Sequence, residues 1–130
     1  MKRLAICLGF LCLLMSPAMA ISEFGKQWKK EYLGEGVDKD FVKTARRANC
    51  NVCHVKGEKK EEARNEYGKA VNEYLKSEDF PKEYIKENPE EVMKKIVEGF
   101  RQAAKHKSVD GQTFGDKIKA KQLPATDAGL

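Results

Sequence analysis

The sequence predicts an all-α fold in one small domain, with about three main helices. Apolar residues recur at three- and four-residue spacing in three separate stretches. Helix caps and chain-breaking residues bound those stretches. No run of apolar–polar alternation is long enough to make a sheet. The chain has 130 residues, 41% hydrophobic and 35% charged, with a net charge of +5 and a mean hydropathy of −0.65. That suffices for one domain and is too polar for several membrane spans. No internal repeat or low-complexity linker divides it.

Residues 1–20 read as a segment apart. From Leu4 to Ala20 only Gly9, Ser16 and Pro17 are not plainly apolar, the run follows Met1-Lys2-Arg3, and it ends in Ala18-Met19-Ala20. This is the pattern of a secretory signal peptide, too short to span a bilayer comfortably and without a stop-transfer flank. Cys7 and Cys12 follow Ile6 and Leu11, not the small residue a lipoprotein site needs. Cleavage is expected after Ala20. Residues 21–130 then form one periplasmic or otherwise exported domain without an integral membrane span.

The helical stretches follow in order. Val37, Phe41, Ala45 and Ala48 share a helical face, with Asp38 placed as N-cap. Val55-Lys56-Gly57 breaks the pattern. Ala63, Tyr67, Ala70, Val71, Tyr74 and Leu75 make a second face, with Glu and Lys opposite, until Phe80-Pro81. Asn88-Pro89-Glu90-Glu91 has the form of a helix start: Asn88 as N-cap, Pro89 at the first position and Glu91 placed for a capping box. Val92, Met93, Ile96, Val97, Phe100, Ala103 and Ala104 then fill one side. Asp110-Gly111 turns the chain, and a short helix from Phe114 to Leu123 is expected to stop at Pro124.

The chemistry sits between the first two stretches. Beyond residue 20 only Cys50 and Cys53 remain of the four cysteines, and His54 follows them directly. A disulfide closing so small a loop would add little stability, because the entropic gain grows with loop length. Cys-x-x-Cys-His is instead the attachment sequence for c-type haem. Two thiols at this spacing reach the two vinyl groups on one side of a porphyrin, and the adjacent imidazole falls under the iron as proximal ligand. Export agrees with this, since c-type haem is normally attached outside the cytoplasm. Two alternatives use the same residues. A zinc site would take Cys50, Cys53, His54 and His106, with His54 awkwardly placed for tetrahedral closure. A thioredoxin-like redox pair would need a preceding strand, where the sequence reads as helix.

With these residues in view the chain resembles a monohaem cytochrome c. A narrower similarity covers about Phe24 to Pro124: Phe24…Trp28…Tyr32, Ala48-Asn49-Cys50-Asn51-Val52-Cys53-His54-Val55, Arg64-Asn65-Glu66-Tyr67-Gly68, and Phe114-Gly115…Leu123-Pro124. In these it resembles the small exported cytochromes of planctomycete-type bacteria, including anaerobic ammonium oxidisers. Some of those are similar to a heterodimeric, low-potential cytochrome with a Cys as second iron ligand that can bind nitric oxide. This chain departs from that pattern, having no third Cys after residue 20, so thiolate ligation is not carried over. The resemblance implies one covalent haem c, single-electron transfer and redox protein partners, with a hetero- or homodimer among the candidate assemblies. A gas-binding haem protein, or the haem subunit of a heterodimeric complex, is the alternative.

The sixth iron position has three candidates: Met93, an open site, and His106, in that order. Met93 is the only Met beyond residue 20, and a thioether opposite His54 would raise the potential; its mid-face helical place is also that of core filler. His106 lies between Lys105 and Lys107, where a surface role is the plainer reading. Lys56, Lys59 and Lys60 follow the motif and form a basic rim suited to an acidic redox partner, or simply a solvated loop. Arg64 and Asn65 are placed to bond a propionate or the loop backbone. Trp28 and Tyr32 read as core or haem-packing aromatics. Lys and Glu alternate instead of forming a basic stripe, so no nucleic-acid partner is expected. No acid–base pair, nucleophile or phosphate loop argues for an enzyme.

Overall fold

Short polar side chains start three of the helices. Asp38 accepts a hydrogen bond from Phe41 N (2.9 Å) ahead of α2 (Lys39–Ala48). Asn65 accepts from Gly68 N (2.9 Å) ahead of α3 (Glu66–Tyr74). Thr113 accepts from Asp116 N (3.0 Å) ahead of α6 (Phe114–Lys119). Each satisfies an amide that the first helical turn leaves without a partner. The computed structural model describes residues 18–130. The signal-peptide reading of residues 1–17 therefore lies outside the described residues, and the expected cleavage point falls within the first turn of α1 (Ala18–Tyr32). The remaining helices are α4 (Lys82–Glu87) and α5 (Pro89–Ala103), with 3-10 turns at Asn49–Val52 and Ser77–Asp79.

The all-α expectation holds: no strand occurs among the described residues, only isolated bridges between His54 and Arg64 and between Lys107 and Thr113. No helix among them is long and apolar enough to cross a membrane. The core forms around α5, which packs on α3, α1 and α4. Val92, Ile96, Phe100 and Ala103 are almost fully enclosed, and the burial of each large side chain contributes about 1.5–3 kcal/mol. Gly99 lets α3 approach closely, since a Cβ there would collide with the Leu75 side chain. Trp28, Phe41, Tyr67 and Phe114 complete the interior.

Four helices have nine residues or more, instead of about three. The one the periodicity reading omitted is α1, which carries Phe24, Trp28 and Tyr32. The second face begins later than expected. Asn65 caps α3, so Ala63 lies in the loop, and Tyr74 turns out to solvent. Pro89 does occupy the start of α5, but Asn88 makes no cap bond and instead donates Nδ2–H to the Tyr84 carbonyl (3.4 Å). Glu91 forms no capping box, because Tyr84 OH (2.9 Å) and Lys95 (2.9 Å) hold its carboxylate. The last helix ends at Lys119, short of Leu123.

Candidate functional site

Helix α2 delivers the motif. Asn49 leaves it with φ +49°, a left-handed conformation that asparagine tolerates better than most residues, and the chain tightens into the 3-10 turn Asn49–Val52. Cys53 N and His54 N both donate to the Cys50 carbonyl (3.2 and 3.1 Å). One turn therefore carries both thiols and the imidazole. Cys50 and Cys53 are half-buried and are not joined to each other.

The backbone around His54 is fully partnered. Cys53 C=O accepts from Asn65 N (3.0 Å), Val55 N donates to Ala63 C=O (3.2 Å), and Lys56 N donates to Ala128 C=O (2.8 Å). Asn65 works from inside. It is completely buried, and its Nδ2 donates to the carbonyls of Asn51 (3.1 Å) and Val52 (3.0 Å), with a longer approach to that of His54 (3.4 Å). Of the two roles expected for Asn65, the loop-backbone role is the observed one. Gly68 gives the turn its seat, since a Cβ there would overlap the Cys53 carbonyl oxygen.

Side chains set the local electrostatics. Burial, with a smaller contribution from the neighbouring Cys50, pushes the Cys53 thiol up to about 12, against the opposing effect of Arg64. His54 is half-buried and its Nδ1 is enclosed without a hydrogen-bond partner. Burial holds its pKa below the ordinary imidazole value, with Arg64 and Lys60 acting in the same sense and the Ala63 carbonyl opposing. The balance favours the neutral ring, the form of imidazole that binds a metal. Lys60 Nζ reaches Cys50 Sγ (3.3 Å) and Lys29 Nζ reaches Asn49 Oδ1 (3.2 Å), so two exposed ammonium groups border the Cys50 edge.

Aromatic side chains back the turn. Tyr67 is fully buried and accepts a hydrogen bond from Trp28 Nε1 (2.9 Å). Its ring meets Phe114 edge-on, at 5.2 Å between centroids. Burial, then the nearby Cys53 and Tyr32, hold the Tyr67 phenol well above its usual range. Trp28 lies in the core, with Tyr32 stacked against it at a tilt (5.2 Å).

The structure gathers Cys50, Cys53, His54, Lys60, Arg64 and Asn65, and places the two distal candidates among other partners. Met93 lines a cleft of about 590 Å³ between α1 and α5, with Gln27, Lys30 and Val97, and Lys30 Nζ approaches its sulfur (3.7 Å). No residue of 49–65 lines that cleft. His106 Nε2 bonds Tyr74 OH (2.7 Å) and lies 3.8 Å from Glu73. Those partners are in the last turn of α3, whereas the motif rests on Gly68 in its first; six residues of helix separate the two by about 9 Å.

These residues fit a c-type haem. Two thiols on one turn, not joined in a disulfide, offer thioether bonds, and the half-buried imidazole next to them offers a ligand nitrogen. They fit a thioredoxin-like pair less well, since among the described residues no strand precedes the motif. The zinc alternative would need His106, which bonds Tyr74 in the last turn of α3 instead.

Spacing did not disclose a second polar cluster beside the site. Glu66, at the start of α3, accepts from Ser108 Oγ (2.7 Å), Val109 N (2.8 Å), Thr126 N (2.8 Å) and Thr126 Oγ1 (2.9 Å). Ser108 also accepts from the buried Lys117 Nζ (3.3 Å), which pairs with Asp110 (2.8 Å). Comparison of the chain with family models, curated proteins and solved structures returned no match.

Proposed function

We propose that this chain is an exported monohaem c-type cytochrome, an electron carrier and not an enzyme. The observation that carries the reading is the single turn bearing Cys50, Cys53 and His54, with the two thiols not joined in a disulfide. Cys50 and Cys53 would hold haem c through thioethers and His54 would be its proximal ligand. When bound, the group supplies a one-electron iron couple. The protein's own part is to fix the turn and keep water away. Asn65 fixes it through the carbonyls of residues 51 and 52, and the Trp28, Tyr67 and Phe114 layer excludes water. Lys29 and Lys60, exposed at the Cys50 edge, favour an acidic redox partner. The likeness to planctomycete-type cytochromes belongs to the same proposal.

The experiment is mass spectrometry of protein exported from a host with haem-attachment machinery. The expected product is residues 21–130 carrying one haem that survives acid–acetone and denaturing electrophoresis. An unmodified chain would overturn the reading, and zinc in that sample would favour the metal-site alternative. Replacing His54 with Ala should leave both thioethers available and change the spin state of the iron.

A second reading, a gas-binding haem protein with an open sixth position, draws support from the partners of the two distal candidates. Lys30 approaches Met93, and Tyr74 holds His106. Met93→Leu decides between them. If Met93 is packing, the change costs under about 1.5 kcal/mol and leaves the iron spectrum unchanged. Unchanged spectra for Met93→Leu and His106→Ala, with ready carbon monoxide binding by the wild type, would establish the open site. A lost sulfur-to-iron charge-transfer band in Met93→Leu would restore Met93 as the ligand.

A further inference from the structure

Six hydrogen bonds hold the backbone from Cys53 C=O to Lys56 N–H, and five of them have their partner within residues 50–65. The sixth, from Lys56 N to Ala128 C=O (2.8 Å), has its partner at the far end of the described chain. The segment it belongs to, residues 124–129, is well anchored. Pro124 is fully buried and Ala128 is 4% exposed. Asp127 Oδ1 accepts from Glu66 N (2.9 Å), supplying the partner that this amide lacks at the first position of α3. Thr126 donates both N–H and Oγ1–H to the Glu66 carboxylate. Gly129 takes a positive φ (+74°), and a Cβ added there would come within 3.6 Å of Lys56 Cβ.

These contacts place one segment across both ends of an exposed loop. Lys56 begins that loop, Glu66 follows it, and His54 pairs with Arg64 across its base. Apart from the strap, two backbone hydrogen bonds close the pair, Asn65 N to Cys53 C=O and Val55 N to Ala63 C=O. We infer that residues 124–129 are a positioning strap for His54, with Asp127 and Thr126 acting through Glu66, and Ala128 through Lys56, to fix the direction of the imidazole. The inference rests on the reading of His54 as the axial ligand of a covalent haem. A loosened strap leaves the thioethers intact and lets the ring turn about a less constrained backbone.

The test uses the full chain purified with its haem, as wild type, as the double variant Thr126→Ala/Asp127→Ala, and as Asp127→Asn. The asparagine variant keeps a side-chain carbonyl that can accept from Glu66 N. Amide hydrogen exchange at Val55 and Lys56 should quicken at least about tenfold in the double variant, with Ile96 and Phe100 in α5 unchanged. The paramagnetically shifted His54 ring resonances should move in the same variant, and Asp127→Asn should behave as wild type in both. Faster exchange confined to residues 124–130, or spread evenly through α5, would overturn the strap. If mass spectrometry finds no covalent haem, the functional reading fails, while the exchange measurement still decides whether the segment braces the loop.

Discussion

Replacing Gly68 with Ala tests whether the motif turn is seated directly on α3. In an open helix the change is favourable, because Ala exceeds Gly in helix propensity by about 0.8–1.0 kcal/mol. Gly68 does not face open space. An added Cβ would overlap the Cys53 carbonyl oxygen, with the carbonyl carbon at 2.9 Å and Cα at 3.2 Å. All three atoms are backbone, so no flexible side-chain end can swing aside. Forced displacement costs about 1–3 kcal/mol. It also breaks the bond from Asn65 N to Cys53 C=O (3.0 Å) and disturbs the Asn65 cap on Gly68 N (2.9 Å), each worth about 1 kcal/mol. Net of propensity, Gly68→Ala should destabilise by about 2–4 kcal/mol. Gly25 in α1 is the control, since its added Cβ would meet nothing within 4 Å; Gly25→Ala should be neutral or stabilise by up to about 1 kcal/mol. Urea unfolding followed by circular dichroism reads both. A Gly68→Ala protein as stable as wild type would refute the close seating of Cys53 on α3.

Three further outcomes are expected. Asn65→Ala should cost about 2–4 kcal/mol in urea, because it removes the cap and leaves the Asn51 and Val52 carbonyls without their donor; Asn65→Asp should recover the cap portion alone. Tyr67→Phe should cost about 1–3 kcal/mol by the same measurement, since it leaves the buried Trp28 Nε1–H without an acceptor. Glu66 gives the pH dependence. Burial alone would raise its pKa, but hydrogen bonds from Ser108, Thr126 and Val109 outweigh that and hold it below the usual carboxylate value. A folded-state pKa below the unfolded one means the contribution is fully present above about 4.3, the ordinary Glu value, and is lost as pH falls through the lower, folded value. Stability measured from pH 7 down to pH 3 should therefore fall less steeply in Glu66→Gln, from a lower neutral plateau; parallel curves would remove Glu66 from the acid limb.

The elements legible in the sequence are those fixed by neighbours a few residues away. Asp38 and the Phe41, Ala45, Ala48 face define α2 locally, and Pro89 with Val92, Ile96 and Phe100 does the same for α5. Helix α1 was legible and missed: Phe24, Trp28 and Tyr32 recur every fourth residue, which is itself a helical period. Helix α4 has six residues and too little length for a period to emerge. The capping box failed for a different reason. Asn88 and Glu91 have the right identities and spacing, but Tyr84, on the preceding turn, competes for both. Spacing lists the groups able to cap a helix and leaves out their other suitors.

The same division runs through the candidate site. Cys50, Cys53 and His54 come together on one turn, as their spacing implies, because that grouping is a local property. Their orientation is not. Asn65 reaches back 11 to 14 residues to the turn, and Ala128 comes from a segment whose composition says only that it is a polar turn. Lys117 is buried to 3% exposure, a place sequence reading assigns to a lysine only when its partner is already known. Met93 shows how close a periodic reading can come and still miss. The enclosed stripe of α5 runs through Val92, Ile96, Gly99, Phe100 and Ala103, and Met93 stands at its edge, about 20° of helix beyond Phe100. Half-buried there, it forms part of the groove wall that α5 presents to α1, and no residue of 49–65 lines that groove. As an iron ligand Met93 would have to leave a groove that it shares with Gln27, Lys30 and Val97. The Met93→Leu spectrum therefore tests a constraint of packing as much as one of iron chemistry.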